Sequence, residues 1–210
     1  MLLEENNSYI ALPSGADSEL ILTEIISRNI RVILEVGALI IDRNNEQIAN
    51  RWIELVSPQI AEAVVYFDSS DKLVVNSRGG LIRDFDTSPY ALSLNRCLVY
   101  LDEFHTRGTD LRIPADTRAA ITLGPDLPKD RLFQAAMRMR LLGAGHSISF
   151  VASHEVHWQI KTLRGSSIKS RPMQNRIIIY QFFNYSFSKY SPECSMHRSS
   201  RLYSPWIPSE

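Results

Sequence analysis

The sequence predicts an α/β domain, a mainly parallel sheet with helices on both faces. Three observations predict it. Short apolar runs, among them Val32–Val36, Ala63–Phe67 and Leu98–Leu101, stand without polar alternation and end at turn-type or charged residues, the pattern of strands buried on both faces. Segments with apolar residues at helical spacing lie between several of these runs. The run Leu98–Leu101 leads straight into two carboxylates, Asp102 and Glu103, and then into a glycine-containing loop. In open α/β sheets the carboxyl ends of the strands are where ligands bind, so residues 102–110 occupy the place where such a fold does its chemistry.

The elements follow in order. Residues 1–17 are polar with Pro13 and Gly15, and with the helix after them they form a lead-in segment over residues 1–30. Ser18–Asn29 carries Leu20, Ile21, Ile25 and Ile26 near helical spacing, with Asp17 or Ser18 as N-cap. Val32–Val36 is a strand ending at Gly37, and Glu35 within it reads as an edge or end position or, alternatively, as a functional carboxylate. Asn44–Leu55 is a helix capped by Asn44 or Asn45, with Ile48, Trp52 and Leu55 as its core stripe and Pro58 beyond its end. Ala63–Phe67 and Leu73–Val75 are strands, Arg78-Gly79-Gly80 is a turn, and Ser88-Pro89 opens a short helical or irregular piece. The strand Leu98–Leu101 follows, then a strand over Arg118–Leu123, a helix over Asp130–Leu142, a strand over Ile148–Val151 and a closing helix over His154–Leu163. From Gly165 the periodicity is lost, and residues 164–210 read as an irregular basic tail, truncated or diverged. No internal repeat is visible. The body of the domain is therefore placed at residues 31–163.

At 210 residues one domain is expected. The formal net charge is zero, but its distribution is uneven. Residues 164–210 hold seven Lys/Arg against two acids, and the remainder holds sixteen against twenty-one. An acidic body argues against a nucleic-acid surface. Cys97 and Cys194 are the two cysteines, too few for a disulfide framework and without a C-x-x-C zinc pair, so a reduced intracellular compartment, cytoplasm or nucleus, is expected. The acidic, polar start is not a signal peptide, and no apolar run reaches the ~18 residues of a membrane span.

The loop Thr106-Arg107-Gly108-Thr109-Asp110-Leu111 is followed by Gln134-Ala135-Ala136-Met137-Arg138-Met139-Arg140 and then by Gly143, Gly145, Ile148 and Phe150. In order and spacing these segments resemble the second motor lobe of superfamily-2 helicases, where an R-G-x-D loop and an arginine-bearing helix face a nucleotide on the partner lobe. Met137 stands where such helices usually have glycine, and the two arginines are separated by one residue. The resemblance implies a RecA-like helicase C-terminal lobe, with Arg107, Gly108, Asp110, Gln134, Arg138 and Arg140 facing nucleotide. No G-x-x-x-x-G-K-[ST] phosphate loop is present, so this chain alone is expected to bind no ATP in the helicase manner; ATP and magnesium would belong to the intact protein. Asp102-Glu103 also resembles a Walker B pair, but its position better matches the strand leading into the R-G-x-D loop.

The run from about Val32 to His157 is more similar still to the very large fungal proteins, built mostly of domains of unknown function, that are named ubiquitinyl hydrolase or ubiquitin thioesterase. Gly37–Ile40, Ala63–Phe67, Cys97–Glu103, His105–Leu111 and Gln134–Gly145 carry that likeness. It implies thiol-dependent deubiquitination by the parent protein, with upstream lobes and ubiquitin as partners. A thiol hydrolase needs a cysteine within reach of a histidine and an orienting group. Cys97, Asp102 and His105 fail this test if the strand is extended, because Cys97 and Asp102 then lie roughly 16 Å apart on opposite faces. Cys194 and His197 could share a helical turn, but their surroundings show no helical pattern. His146, His154 and His157 show no metal-ligand spacing. The catalytic cysteine of the parent is thus not identified, and this chain alone is expected to be inactive.

Overall fold

The structure, a computed structural model, describes Leu2 and residues 6–106, 108–125 and 127–162. Arg107, Leu163 and the tail 164–210, with Cys194 and His197, lie outside the described residues. The elements run β1 (Ser8–Ala11), α1 (Ser18–Ser27), β2 (Val32–Leu34), α2 (Asn45–Leu55), β3 (Ala63–Phe67), β4 (Leu73–Ser77), β5 (Leu81–Asp84), a 3-10 turn at Pro89–Ala91, β6 (Cys97–Leu101), β7 (Arg118–Leu123), α3 (Lys129–Ala136), β8 (Ser147–Ala152) and α4 (His154–Thr162). They build one mixed sheet in the order β1-β8-β7-β2-β6-β3-β4-β5. The first six strands pair in parallel, β4 is antiparallel to β3, and β5 is antiparallel to β4. The α/β class is therefore as the apolar runs predict.

Strands β2, β6 and β8 are buried along their whole length, which is why β2 and β6 read as apolar runs without alternation; β8 buries Ser147 and Ser149 along with its apolar residues. Their side chains still alternate between two cores. Val32, Leu34, Val99, Leu101 and Phe150 join α3 and α4 on one face through Leu132, Ala135, Val156 and Ile160. Ile33, Leu98, Tyr100 and Val151 join α1 and α2 on the other through Ile21, Leu22, Ile25, Ile48 and Trp52. The crossovers through α1 and α2 run along the sheet in one direction and the crossover through α3 in the other. Connections of one handedness must then put their helices on opposite faces, as observed.

Helix α2 starts where its cap predicts. The Asn44 side chain accepts from Gln47 N at 2.8 Å, and the Gln47 side chain accepts from Asn44 N at 3.0 Å, a reciprocal capping box. Asn44→Ala is expected to lower stability by about 1 kcal/mol in chemical denaturation, and Asn44→Ser by much less. The buried stripe is Ile48, Ala49, Trp52 and Ile53; Leu55 lies at the helix end and is exposed. Asp17 caps α1 by accepting from Leu20 N at 2.9 Å.

Three readings change. The segment 1–30 is more than a lead-in: β1 extends the sheet beside β8, and α1 is part of the core. β5 has no counterpart among the expected strands, because all four of its residues are exposed. The helix expected over Asp130–Leu142 ends at Ala136, so Arg138 and Arg140 are not helical. Beyond it the chain tightens into i→i−3 bonds, from Arg138 N to Ala135 O, Met139 N to Ala136 O and Leu142 N to Met139 O. His146 fixes this turn by accepting from Leu141 N at Nδ1 while Nε2 lies 2.9 Å from Pro114 O. Among the described residues no helix is long and apolar enough to cross a membrane.

Candidate functional site

The connection after β2 leads to the α1/α2 face, whereas residues 102–117, after the neighbouring strand β6, bury Leu111 in the α3/α4 face. Adjacent strands whose connections leave to opposite faces open a crevice at their carboxyl ends. A cleft of about 520 Å³ lies there, between Asn44–Glu46 at the start of α2, Asp68–Asp71 after β3, and Asp102–His105 after β6.

Its floor is a hydrogen-bonded network. Asn45 Nδ2 donates to Phe67 O at 3.0 Å and to Asp102 Oδ2, tying the ends of β3 and β6 to the start of α2. Asp102 Oδ1 accepts from His105 N at 2.9 Å and lies 2.8 Å from His105 Nδ1. The His105 ring stacks on Phe67 with centroids 3.8 Å apart and 7° between planes, and its Nε2 stands 3.3 Å from Asp71 Oδ1. Burial pushes the Asp102 carboxyl up, but hydrogen bonds from His105 and Asn45 outweigh it and hold the group below the usual carboxylate range. Asp102 stays anionic, and the imidazole is fixed in position by a carboxylate and an aromatic face. Among the described residues the lining contains no lysine or arginine, and it carries the carboxyl groups of Glu46, Asp68, Asp71, Asp102 and Glu103.

The nucleotide-facing candidates other than Arg107, which is outside the described residues, do not line this cleft. The chain after α3 leads toward the amino end of β8, and the 102–117 connection descends to the amino end of β7. The two meet across the α3/α4 face. Arg138 Nη1 donates to Thr109 O at 2.6 Å, and Arg140 Nη2 pairs with Asp110 Oδ1 at 2.8 Å. Arg131 of α3 pairs with Glu103 nearer the start of the same loop. Arg138, Arg140 and Asp110 thus come together, but not at the strand carboxyl ends, and neither they nor Gly108 and Gln134 line the cleft. Gly108 and Gln134 are exposed.

Cys97 opens β6 at its amino end, and His105 lies beyond the carboxyl end. Burial pushes the Cys97 thiol up to about 12, so at neutral pH it keeps its proton. The pairing of Asp102 with His105 is local, an i,i+3 contact in the turn after a strand, and D-x-x-H was its only signal in the sequence. Asn45 and Asp71 reach it from distant segments without one. Comparison of the chain with protein-family models, curated proteins and solved structures finds no match.

Proposed function

We propose that this chain is one lobe of a larger protein of the ubiquitinyl hydrolase-named family. In this reading it is a RecA-like lobe of the helicase second-lobe type that works against an upstream lobe of the same parent, with ATP and magnesium between them. The parent carries the cysteine-type deubiquitination that the family name implies, and its nucleophile is not Cys97.

The observation that supports the motor part is the junction of Arg138 and Arg140 with Thr109 and Asp110. An arginine finger must be held near its place and still be free to turn to a phosphoryl group. The Arg140–Asp110 pair is well exposed at both ends, 65% and 62%, and such pairs are worth about 0–1 kcal/mol, so a phosphate can displace the carboxylate. Arg138 uses one nitrogen on a backbone carbonyl, and its Nε is buried without a partner. The depth and protonation of Cys97 support the second part.

Both parts are testable on the purified parent protein. Arg138→Ala and Arg140→Ala are expected to lower ATP hydrolysis by about 10³-fold or more, the loss typical of an arginine finger. Hydrolysis within twofold of wild type in both would remove the motor reading. A ubiquitin-based thiol-reactive probe is expected to label the parent and its Cys97→Ala variant equally. Loss of labelling in Cys97→Ala would overturn the placement of the nucleophile, and absence of labelling in both would remove the hydrolase reading.

A further inference from the structure

We propose that Glu35 is a proton-operated latch at the root of the loop joining β2 to α2, and that its protonation state sets the shape of the cleft that Ala38 and Leu39 line at the carboxyl edge of the sheet. The inference does not depend on the function proposed above.

One loop, residues 35–44, serves two clefts. Its far end supplies Asn44, followed by Asn45 and Glu46 of α2, to the cleft that holds His105. Its near end supplies Ala38 and Leu39 to a second cleft of about 250 Å³, closed on the other side by Pro125, Ser153 and His154. The near end is bolted down at two points. Thr122 Oγ1, on β7, accepts from Val36 N at 2.9 Å and from Gly37 N at 2.8 Å. Glu35 Oε1 accepts from Leu39 N at 2.6 Å, folding the loop back over its own root. Ala38, between these points, is held at φ 50°, a left-handed conformation that an L-residue keeps only where its surroundings impose it.

Glu35 is only 4% exposed, and among the described residues its second oxygen, Oε2, has no partner in good hydrogen-bond geometry, although the Thr122 hydroxyl and the Ile40 amide lie near the carboxyl. A neutral carboxyl tolerates this position. A carboxylate fits it poorly, because burial penalises the charge and the few donors around it offset that penalty only in part. The closed loop is therefore the partner of the neutral acid. Ionisation is relieved by bringing water or a donor to Oε2, which requires residues 36–40 to lift from β7. Burial accordingly pushes the Glu35 carboxyl up to about 7, only partly offset by the Leu39 amide and by the Thr122 hydroxyl and Ile40 amide close by.

Among the described residues, the neighbouring groups leave the switch with Glu35. From β6 the titratable neighbour is Tyr100, whose phenol is held far above its ordinary value by burial and by the charges of Glu35 and Asp102, so it stays neutral. From β7 the contact is Thr122, which does not titrate. Asp42, within the loop, is held low chiefly by the Ser18 hydroxyl and stays anionic. From α4, His154 and Glu155 face Ala38 and Leu39 across the second cleft.

Hydrogen exchange of the 210-residue chain, corrected for the intrinsic pH dependence, tests the latch. Protection of the Val36, Gly37 and Leu39 amides is expected to fall about tenfold or more between roughly pH 5.5 and 8.5. In Glu35→Gln the same amides should show no such change, and in His154→Asn the change should persist. Protection that is flat in wild type, equally pH-dependent in Glu35→Gln, or flattened in His154→Asn overturns the proposal. Because Glu35→Gln replaces a buried group, a second measurement uses the wild-type chain alone. The ¹³C shift of the Glu35 carboxyl is expected to titrate together with the loss of protection, and a carboxyl that does not titrate in that range overturns the latch by itself.

Discussion

Gly124→Ala is expected to lower the stability of this chain by about 4 kcal/mol or more, a large share of the roughly 5–15 kcal/mol that a folded domain has. The cause is space. A Cβ on Gly124 would fall onto the Gly37 carbonyl oxygen, with the Gly37 carbonyl carbon only 2.8 Å away. The approach is mutual, since a Cβ on Gly37 would stand 2.5 Å from Gly124 N and 2.7 Å from Thr122 C. What each would meet is backbone, not the end of a flexible side chain. That backbone has little room to retreat, because Val36 N and Gly37 N are bonded to Thr122 Oγ1 and β2 is registered against β7 by Ile33 with Ala120 and Leu34 with Ile121. Overpacking a site that cannot relax costs more than the usual 1–3 kcal/mol. Gly108→Ala is the control. Nothing lies within 4 Å of its added Cβ, and it should lose only about 1–2 kcal/mol for its φ of 82°. Denaturant unfolding followed by far-UV circular dichroism measures both. A Gly124→Ala variant within 1 kcal/mol of wild type would show that the two loops can separate freely.

The elements that the sequence reveals are those whose residues meet the same environment along their whole length. β3 and β6 are continuous apolar runs because both faces are covered, β7 alternates imperfectly, and the bounds of all three match the reading to within a residue. The start of α2 is legible because Asn44 and Gln47 satisfy each other locally. The elements that stay hidden depend on distant partners. β1 is a four-residue edge strand joined to β8, and beside it Asn7 Oδ1 accepts from Ile148 N at 2.7 Å across 141 residues. β5 has no buried residue to betray it. The early end of α3 is set by His146, ten residues past the helix, which bonds both Leu141 N and Pro114 O.

The candidate sites divide in the same way. The separation of Cys97 from His105 follows from strand geometry alone, and the structure agrees. The meeting of Arg138 and Arg140 with Thr109 and Asp110 is foreshadowed by motif order. Its position on the α3/α4 face is not, because that requires knowing that residues 102–117 cross from β6 past β2 to β7. Glu35 stands out in the sequence as a carboxyl within an apolar run. Read as an edge or end position, it proves to end the strand, since β2 stops at Leu34, but β2 is central, between β6 and β7. That place buries it.

From this burial comes the second large effect. The chain should lose about 3 kcal/mol of stability between roughly pH 4 and pH 8 relative to Glu35→Gln. The folded carboxyl titrates at about 7, above its ordinary value of 4.5, so the folded state holds the proton more tightly than the unfolded chain. Below about pH 4.5 both states are protonated and the contribution is fully present. As pH rises, the unfolded chain releases its proton first, and stability falls until the folded group also ionises near 7, after which the curve is level. Each unit of difference corresponds to about 1.4 kcal/mol. Asp102, held below its ordinary value, acts with the opposite sign and at lower pH, and it is present in both proteins, so it cancels from the comparison. The amide of the Glu35→Gln variant keeps an oxygen for the Leu39 amide and carries no charge at any pH. Its own fixed cost or gain displaces the whole curve without changing its slope. The informative quantity is therefore the change with pH in the difference between the two unfolding free energies. A difference constant to within about 0.5 kcal/mol from pH 4 to pH 8 would mean that Glu35 ionises as easily inside the fold as outside it, and that its unpaired oxygen finds a donor without disturbing β2 or β7.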